Sequence, residues 1–144
     1  MDTNRVAGSV DPAVTPVGSE QPPAISLGAV TCAGLHLIIE IKDGHGLDSL
    51  QTVEDALRAA IIACRATLLH IHLHKFSPQG VSGVAVLAES HMSVHTWPEA
   101  GYGAFDVFMC GDADPWKAVP VLRDAFEAGS VDVRELRRGE GIRL

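Results

Sequence analysis

The segment "GLHLIIEIKDG" (Gly34–Gly44) limits the possible folds more than any other part of the chain. Leu35, Leu37, Ile39 and Ile41 alternate with His36, Ile38 and Glu40, so an extended strand here has one wholly apolar face. That face must be covered, and only two stretches carry the spacing of a covering helix. In "DSLQTVEDALRAAIIACRA" (Asp48–Ala66), Val53, Leu57, Ala60, Ile61 and Cys64 recur at three- and four-residue steps. Asp48, Ser49 or Thr52 can cap its start, and Thr52 with Asp55 has capping-box spacing. Its acidic first turns and Arg65 near its end suit the helix dipole. "DPWKAVPVLRDAFEAG" (Asp114–Gly129) is the second helix, with Asp and Pro at its start and Gly at its end. Pro120 shifts the point at which that helix begins.

The remaining patterned runs are β-like: Thr67–Phe76, Val81–Ser90, Ser93–Trp97, Ala104–Gly111 and Val131–Gly139. The order is β-α-β-β-β-β-α-β. The expected fold is α+β, an antiparallel sheet with both helices on one face in a two-layer sandwich. Residues 1–28 are rich in Pro, Gly, Ser, Thr and Val without period and read as a disordered extension; residues 29–144 form a single domain.

Charge and cysteine usage exclude several classes. The net charge of −7 argues against a nucleic-acid binder, and "RELRR" is too small a basic cluster to reverse this. No apolar stretch reaches the roughly 18 residues of a membrane span. The N-terminus lacks the basic-then-apolar pattern of a secretory signal, so a cytoplasmic protein is expected. Cys32, Cys64 and Cys110 are odd in number and widely spaced, which disfavours a disulfide framework or a zinc–thiolate site.

Chemistry concentrates in "ESHMSVHTWPE" (Glu89–Glu99), directly after the apolar run "GVSGVAVLA". His91 and His95 are four apart, but "SVHTWP" favours a strand and ends in Pro98, so the pair is a poor metal signal. On a strand Ser93 and His95 share a face and flank Ser90, and a serine beside a histidine suggests nucleophilic catalysis. A serine hydrolase is disfavoured: there is no GxSxG elbow and no evident third member. In "LHIHLH", His70, His72 and His74 lie on one strand face at a spacing that can converge on a metal. No carboxylate or cysteine at matching spacing completes that site, and a half-exposed polar face accounts for it.

Glu-Ser-His, two apolar positions flanking Ser93, then His-Thr-Trp-Pro-Glu resembles the signature of bacterial and archaeal S-adenosylmethionine decarboxylases, small pyruvoyl-dependent enzymes of polyamine synthesis. "GLHLIIEI" is similar to that family's opening Gly-x-His strand, "FSPQGVSGVAVLAESHMSVHTWPEAGYGAFDVFMCG" to its core, and "RRG" to its closing Arg-Gly. The likeness runs from about Gly34 to Gly139. Met92 stands where relatives more often have Leu or Ile, a volume-conserving change, and "KDGHG" lacks a cysteine that many relatives carry.

The resemblance implies a zymogen that cuts itself between Glu89 and Ser90, giving a β chain of residues 1–89 and an α chain of residues 90–144. Ser90 becomes the covalent pyruvoyl group, which forms a Schiff base with S-adenosylmethionine and releases CO2, making the aminopropyl donor for spermidine. Ser82 and His95 are implied to serve processing, His95 as the base, and Cys110 to be the proton donor. Phe76 matches an aromatic that stacks on the adenine and Glu99 an acceptor for the ribose hydroxyls. No metal is implied at the site. The family works as a homodimer of cleaved protomers with substrate near the interface. Two other readings stay open: a pyruvoyl-dependent ornithine or arginine decarboxylase on the same scaffold, and an uncleaved protein binding a ligand or metal through His70, His72 and His74.

Overall fold

The computed structural model describes residues 3–5 and 32–142. A short strand β1 (Thr3–Arg5) is followed by β2 (Gly34–Lys42), helix α1 (Leu50–Ala63), β3 (Leu68–Lys75), β4 (Val81–Leu87), β5 (Ser90–Trp97), β6 (Tyr102–Met109), helix α2 (Ala118–Ala125) and β7 (Ser130–Arg138). Single 3₁₀ turns at Pro98–Ala100 and Pro115–Lys117 precede β6 and α2. The sheet runs β1-β7-β2-β6-β5-β4-β3. Every pair from β7 to β3 is antiparallel, and β1 lies parallel to β7. The α+β reading and the order of elements hold. The rest of the expected N-terminal extension lies outside the described residues.

The core forms because strand alternation and helix periodicity point the same apolar sets inward. Leu37, Ile39 and Ile41 of β2 are fully buried with Val131 and Val133 of β7, Phe105, Val107 and Met109 of β6, and Met92 and Val94 of β5. Val53, Leu57, Ala60 and Ile61 of α1 and Val119 and Leu122 of α2 close over them. Each of the Val, Leu, Ile, Phe and Met side chains among them contributes roughly 1.5–3 kcal/mol, so the helix-covered face carries most of the folding energy.

Local details differ from expectation for physical reasons. Ser49 caps α1, its side chain accepting from the Thr52 N–H, while Asp48 turns away to the β3–β4 hairpin. The first turn of α1 holds no acid and its last turn no base; Glu54 pairs with Arg58 instead. Pro120 is tolerated as the third residue of α2, where no intrahelical donor is needed. At Gly83 a Cβ would stand 2.4 Å from the His72 carbonyl oxygen, so only glycine lets β4 close on β3 there.

Among the described residues, no helix covers the other face of the sheet. Strand period and register place on it His36, Ile38 and Glu40 of β2, Asp106 and Phe108 of β6, His91, Ser93 and His95 of β5, Ser82, Val84 and Val86 of β4, and His70, His72 and His74 of β3. Most of the chemistry-bearing residues stand here.

Candidate active site

The chemistry falls into three groups along β5. At its first residue, the scissile position expected from the sequence is held on several sides. The Glu89 carbonyl oxygen accepts from the Cys110 backbone N–H at 3.2 Å and from the Cys110 thiol at 2.9 Å. The Glu89 carboxylate accepts from the Thr67 N–H with both oxygens, at 3.1 and 3.0 Å. The Ala88 N–H donates to the Thr67 carbonyl at 2.9 Å. Ser90 adopts a φ of 156°, a backbone conformation rarely taken by residues with a side chain. Such a residue carries on the order of 1–3 kcal/mol of strain, placed here at the Glu89–Ser90 bond.

At the other end of β5, Ser82 and His95 face each other across β4 and β5, with Ser82 Oγ 2.8 Å from His95 Nδ1. His74 continues the row on β3. A hollow of about 280 Å³ opens beside them, lined by Phe76, Gln79, Gly80, His95, Trp97 and Glu99 among others. The Phe76 ring meets His74 edge-on at 4.7 Å, and Trp97 stacks on Tyr102 at 5.2 Å. Asp48 shapes this wall from outside: its Oδ1 accepts from Lys75 Nζ and from the Gly80 N–H, both at 2.8 Å. The Lys75 ammonium, then the Gly80 N–H, hold its carboxyl below the usual range.

Between the two ends lies a polar hub that sequence reasoning missed. Asp106 accepts from His36 Nε2 at 2.6 Å, from His91 Nε2 at 2.9 Å and from the Ser93 hydroxyl. Burial alone raises this carboxyl; the bonds from Ser93, His91 and His36 outweigh it and hold the group below its ordinary value. His36, His91 and Asp106 place ligand atoms within 4.8 Å of one another, the one such trio among the described residues. Arg138 argues that this is a hydrogen-bonded hub. Its guanidinium donates to His36 Nδ1 at 2.9 Å, so Nδ1 holds a lone pair and Nε2 carries the proton given to Asp106. The sequence singled out His91 and Ser93, but their partners showed only as a lone Asp within "AFDVFM" and a lone His within "GLHLII".

The predicted residues thus gather at two places. Glu89, Ser90 and Cys110 meet at one end of β5, and Ser82, His95, Phe76 and Glu99 at the other. His95 lies five residue steps along an extended strand from Ser90, about 16 Å at roughly 3.3 Å per residue. A single chain does not bring the serine and the histidine together. His70, His72 and His74 stand opposite Val86, Val84 and Ser82 and form no ligand trio. Cys64 is buried, and burial followed by the nearby Asp114 charge pushes its thiol up to about 12, which leaves it inert.

Fold and site together define a small α+β sheet protein with serine, cysteine and histidine chemistry arrayed along one strand. Comparison with known proteins places it further. The S-adenosylmethionine decarboxylase family profile matches residues 35–139. An S-adenosylmethionine decarboxylase proenzyme from Methanococcus aeolicus is 50% identical over 112 residues, covering 76% of this chain and 96% of that relative. A proenzyme of the same description from Thermomicrobium roseum is 47% identical over 108 residues, covering 74% and 93%. The crystal structure of the adenosylmethionine decarboxylase from Aquifex aeolicus superposes with a TM-score of 0.70 at 30% identity, over 76% of this chain and 93% of that one. The chain belongs to the S-adenosylmethionine decarboxylase family.

Proposed function

We propose that the chain is a self-cleaving S-adenosylmethionine decarboxylase proenzyme, cut between Glu89 and Ser90. The observation that carries this reading is the Glu89 carbonyl, held by two Cys110 donors next to a strained serine. The Ser90 hydroxyl attacks the Glu89 carbonyl carbon. The C–N bond breaks, nitrogen takes a proton, and an ester remains. The two donors from Cys110 stand where the negative oxygen develops in that step. Loss of the Ser90 α-proton then breaks the Cβ–Oγ bond and expels residues 1–89 with Glu89 carrying a new main-chain carboxylate. Water replaces ammonia on the resulting residue, leaving a pyruvoyl group at position 90. Residue 90 opens β5 between Leu87 and Met109, so the group is held by the sheet itself. When formed, it supplies an electron sink for decarboxylation. Cys110, whose thiol lies 2.9 Å from the Glu89 oxygen beside residue 90, is the acid that protonates the substrate α-carbon once CO2 has left.

Elimination needs a base, and the nearest histidine that the sequence nominates is about 16 Å along the strand. We infer that Ser82 and His95 act on the Ser90 of a second copy, in a homodimer packed through the helix-free sheet face. Val84 and Val86 of β4, 39% and 41% exposed on that face, give it apolar area to bury. The hollow carrying Phe76 and Glu99 then receives the nucleoside while the partner's residue 90 meets the amino acid end. An aromatic face and a carboxylate suit adenine and a ribose diol, which favours S-adenosylmethionine over ornithine or arginine. Release of labelled CO2 from carboxyl-labelled S-adenosylmethionine, ornithine and arginine tests this. Turnover of the first alone is expected, and turnover of a basic amino acid alone would overturn the substrate assignment.

A further inference from the structure

The Glu89 side chain is bound in a way that self-cleavage chemistry does not itself require. Any residue at position 89 supplies a carbonyl. Here the carboxylate reaches back to the start of β3 and accepts from the Thr67 N–H with both oxygens, at 3.1 and 3.0 Å. The Ala88 N–H grips the same residue from the other side, on the Thr67 carbonyl at 2.9 Å. The Thr67 backbone therefore straps the Ala88–Glu89 turn, holding the Ala88 N–H with its carbonyl and the Glu89 carboxylate with its N–H. This turn contains no Gly, Pro, Asn or Asp to fix its shape locally, so its shape depends on the strap. The turn decides where the Glu89 carbonyl points, which is at Cys110 N–H and Sγ, 3.2 and 2.9 Å away.

We propose that the Glu89 carboxylate is a positioning residue for self-cleavage: its bond to the Thr67 N–H aims the scissile carbonyl at the Cys110 donors. The proposal rests on the cleavage reading above and adds a role for a side chain that the reaction never touches. It makes the acyl shift the sensitive step, because that step needs the carbonyl aligned with both its donors and Ser90 Oγ. The later elimination takes place on residue 90 and does not depend on the strap.

The test uses the full chain in a His95→Ala background. Without the proposed base, ester and amide forms equilibrate, and hydroxylamine scission of the denatured chain reads the ester fraction. Glu89→Asp keeps the charge and loses the reach. Glu89→Gln keeps the reach and one acceptor oxygen. The expected result is an ester yield reduced on the order of tenfold to a hundredfold in Glu89→Asp, as for other small misplacements of reacting groups, with Glu89→Gln between it and the parent. Thermal melts of the same variants report any loss of folding separately. A folded Glu89→Asp chain with the parent ester yield would overturn the proposal, as would Glu89→Gln falling below Glu89→Asp, which would make charge and not reach the cause. A parent chain that yields no hydroxylamine-sensitive bond at 89–90 marks failure of the cleavage reading itself. So does a His95→Ala chain that is cut as fast as the unaltered one, for the base assignment.

Discussion

Replacing Asp106 separates the energetic role of the polar hub from its charge. In Asp106→Ala, three donors lose their acceptor: Ser93 Oγ, His91 Nε2 and His36 Nε2. They do not suffer equally. The His91 side chain is 37% exposed and turns to water, whereas His36 is 12% exposed and pinned on its far side by Arg138. Bonds to charged groups are each worth about 1.5–3 kcal/mol. Counting His36 in full and the other two in part gives a loss of about 2–4 kcal/mol. Asp106→Asn should cost about 1 kcal/mol, because its amide oxygen still accepts from both histidines and its NH2 reaches a rotated Ser93 hydroxyl. Urea unfolding in a Ser90→Ala chain, which cannot form the ester, measures both values. A loss below about 1 kcal/mol for Asp106→Ala, or equal losses for Ala and Asn, would refute the hub as a hydrogen-bonded unit.

Other expectations follow from the same geometry. The Asp106 carboxyl is held below its unfolded value, so its stabilisation is complete above about pH 4 and is lost as pH falls through the lower folded value. Melts below pH 4 should therefore fall more steeply for the parent than for Asp106→Asn, and parallel curves would contradict this. Asp48→Ala releases the Phe76–Gly80 turn from outside the hollow; KM should rise by roughly two- to tenfold, the cost of ordering one or two side chains, with cleavage unchanged. A slowed cleavage with unaltered KM would place Asp48 elsewhere in the account. Mixing Ser90→Ala chains with His95→Ala chains should restore cleavage of the His95→Ala chain, because one site in the mixed dimer is complete. No recovery in verified heterodimers would mean that the base acts within its own chain.

The elements were legible because the two periods are distinct. Leu37, Ile39 and Ile41 announce a half-buried strand, and Val53, Leu57 and Ile61 a helix stripe. The start of β5 was not. The sequence places Ser90 at the end of the preceding strand, yet it opens β5 opposite Met109. The reason is the Ala88–Glu89 turn, which has no turn-forming residue and is held by a contact to Thr67, 22 positions away. The candidate site residues were nominated by resemblance to a known motif, which does not report their separation: Ser90 and His95 look adjacent in sequence and stand at opposite ends of one strand. The hub was hidden for a related reason. His36 and Asp106 are 70 residues apart, and only the β2–β6 register brings them together.

Self-cleavage at Glu89–Ser90 is read from the intact mass of the purified protein under denaturing, reducing conditions. Two chains are expected, residues 1–89 and 90–144, the second with a blocked N-terminus and lacking an amine. A single chain of 15.2 kDa that persists through long incubation would contradict it.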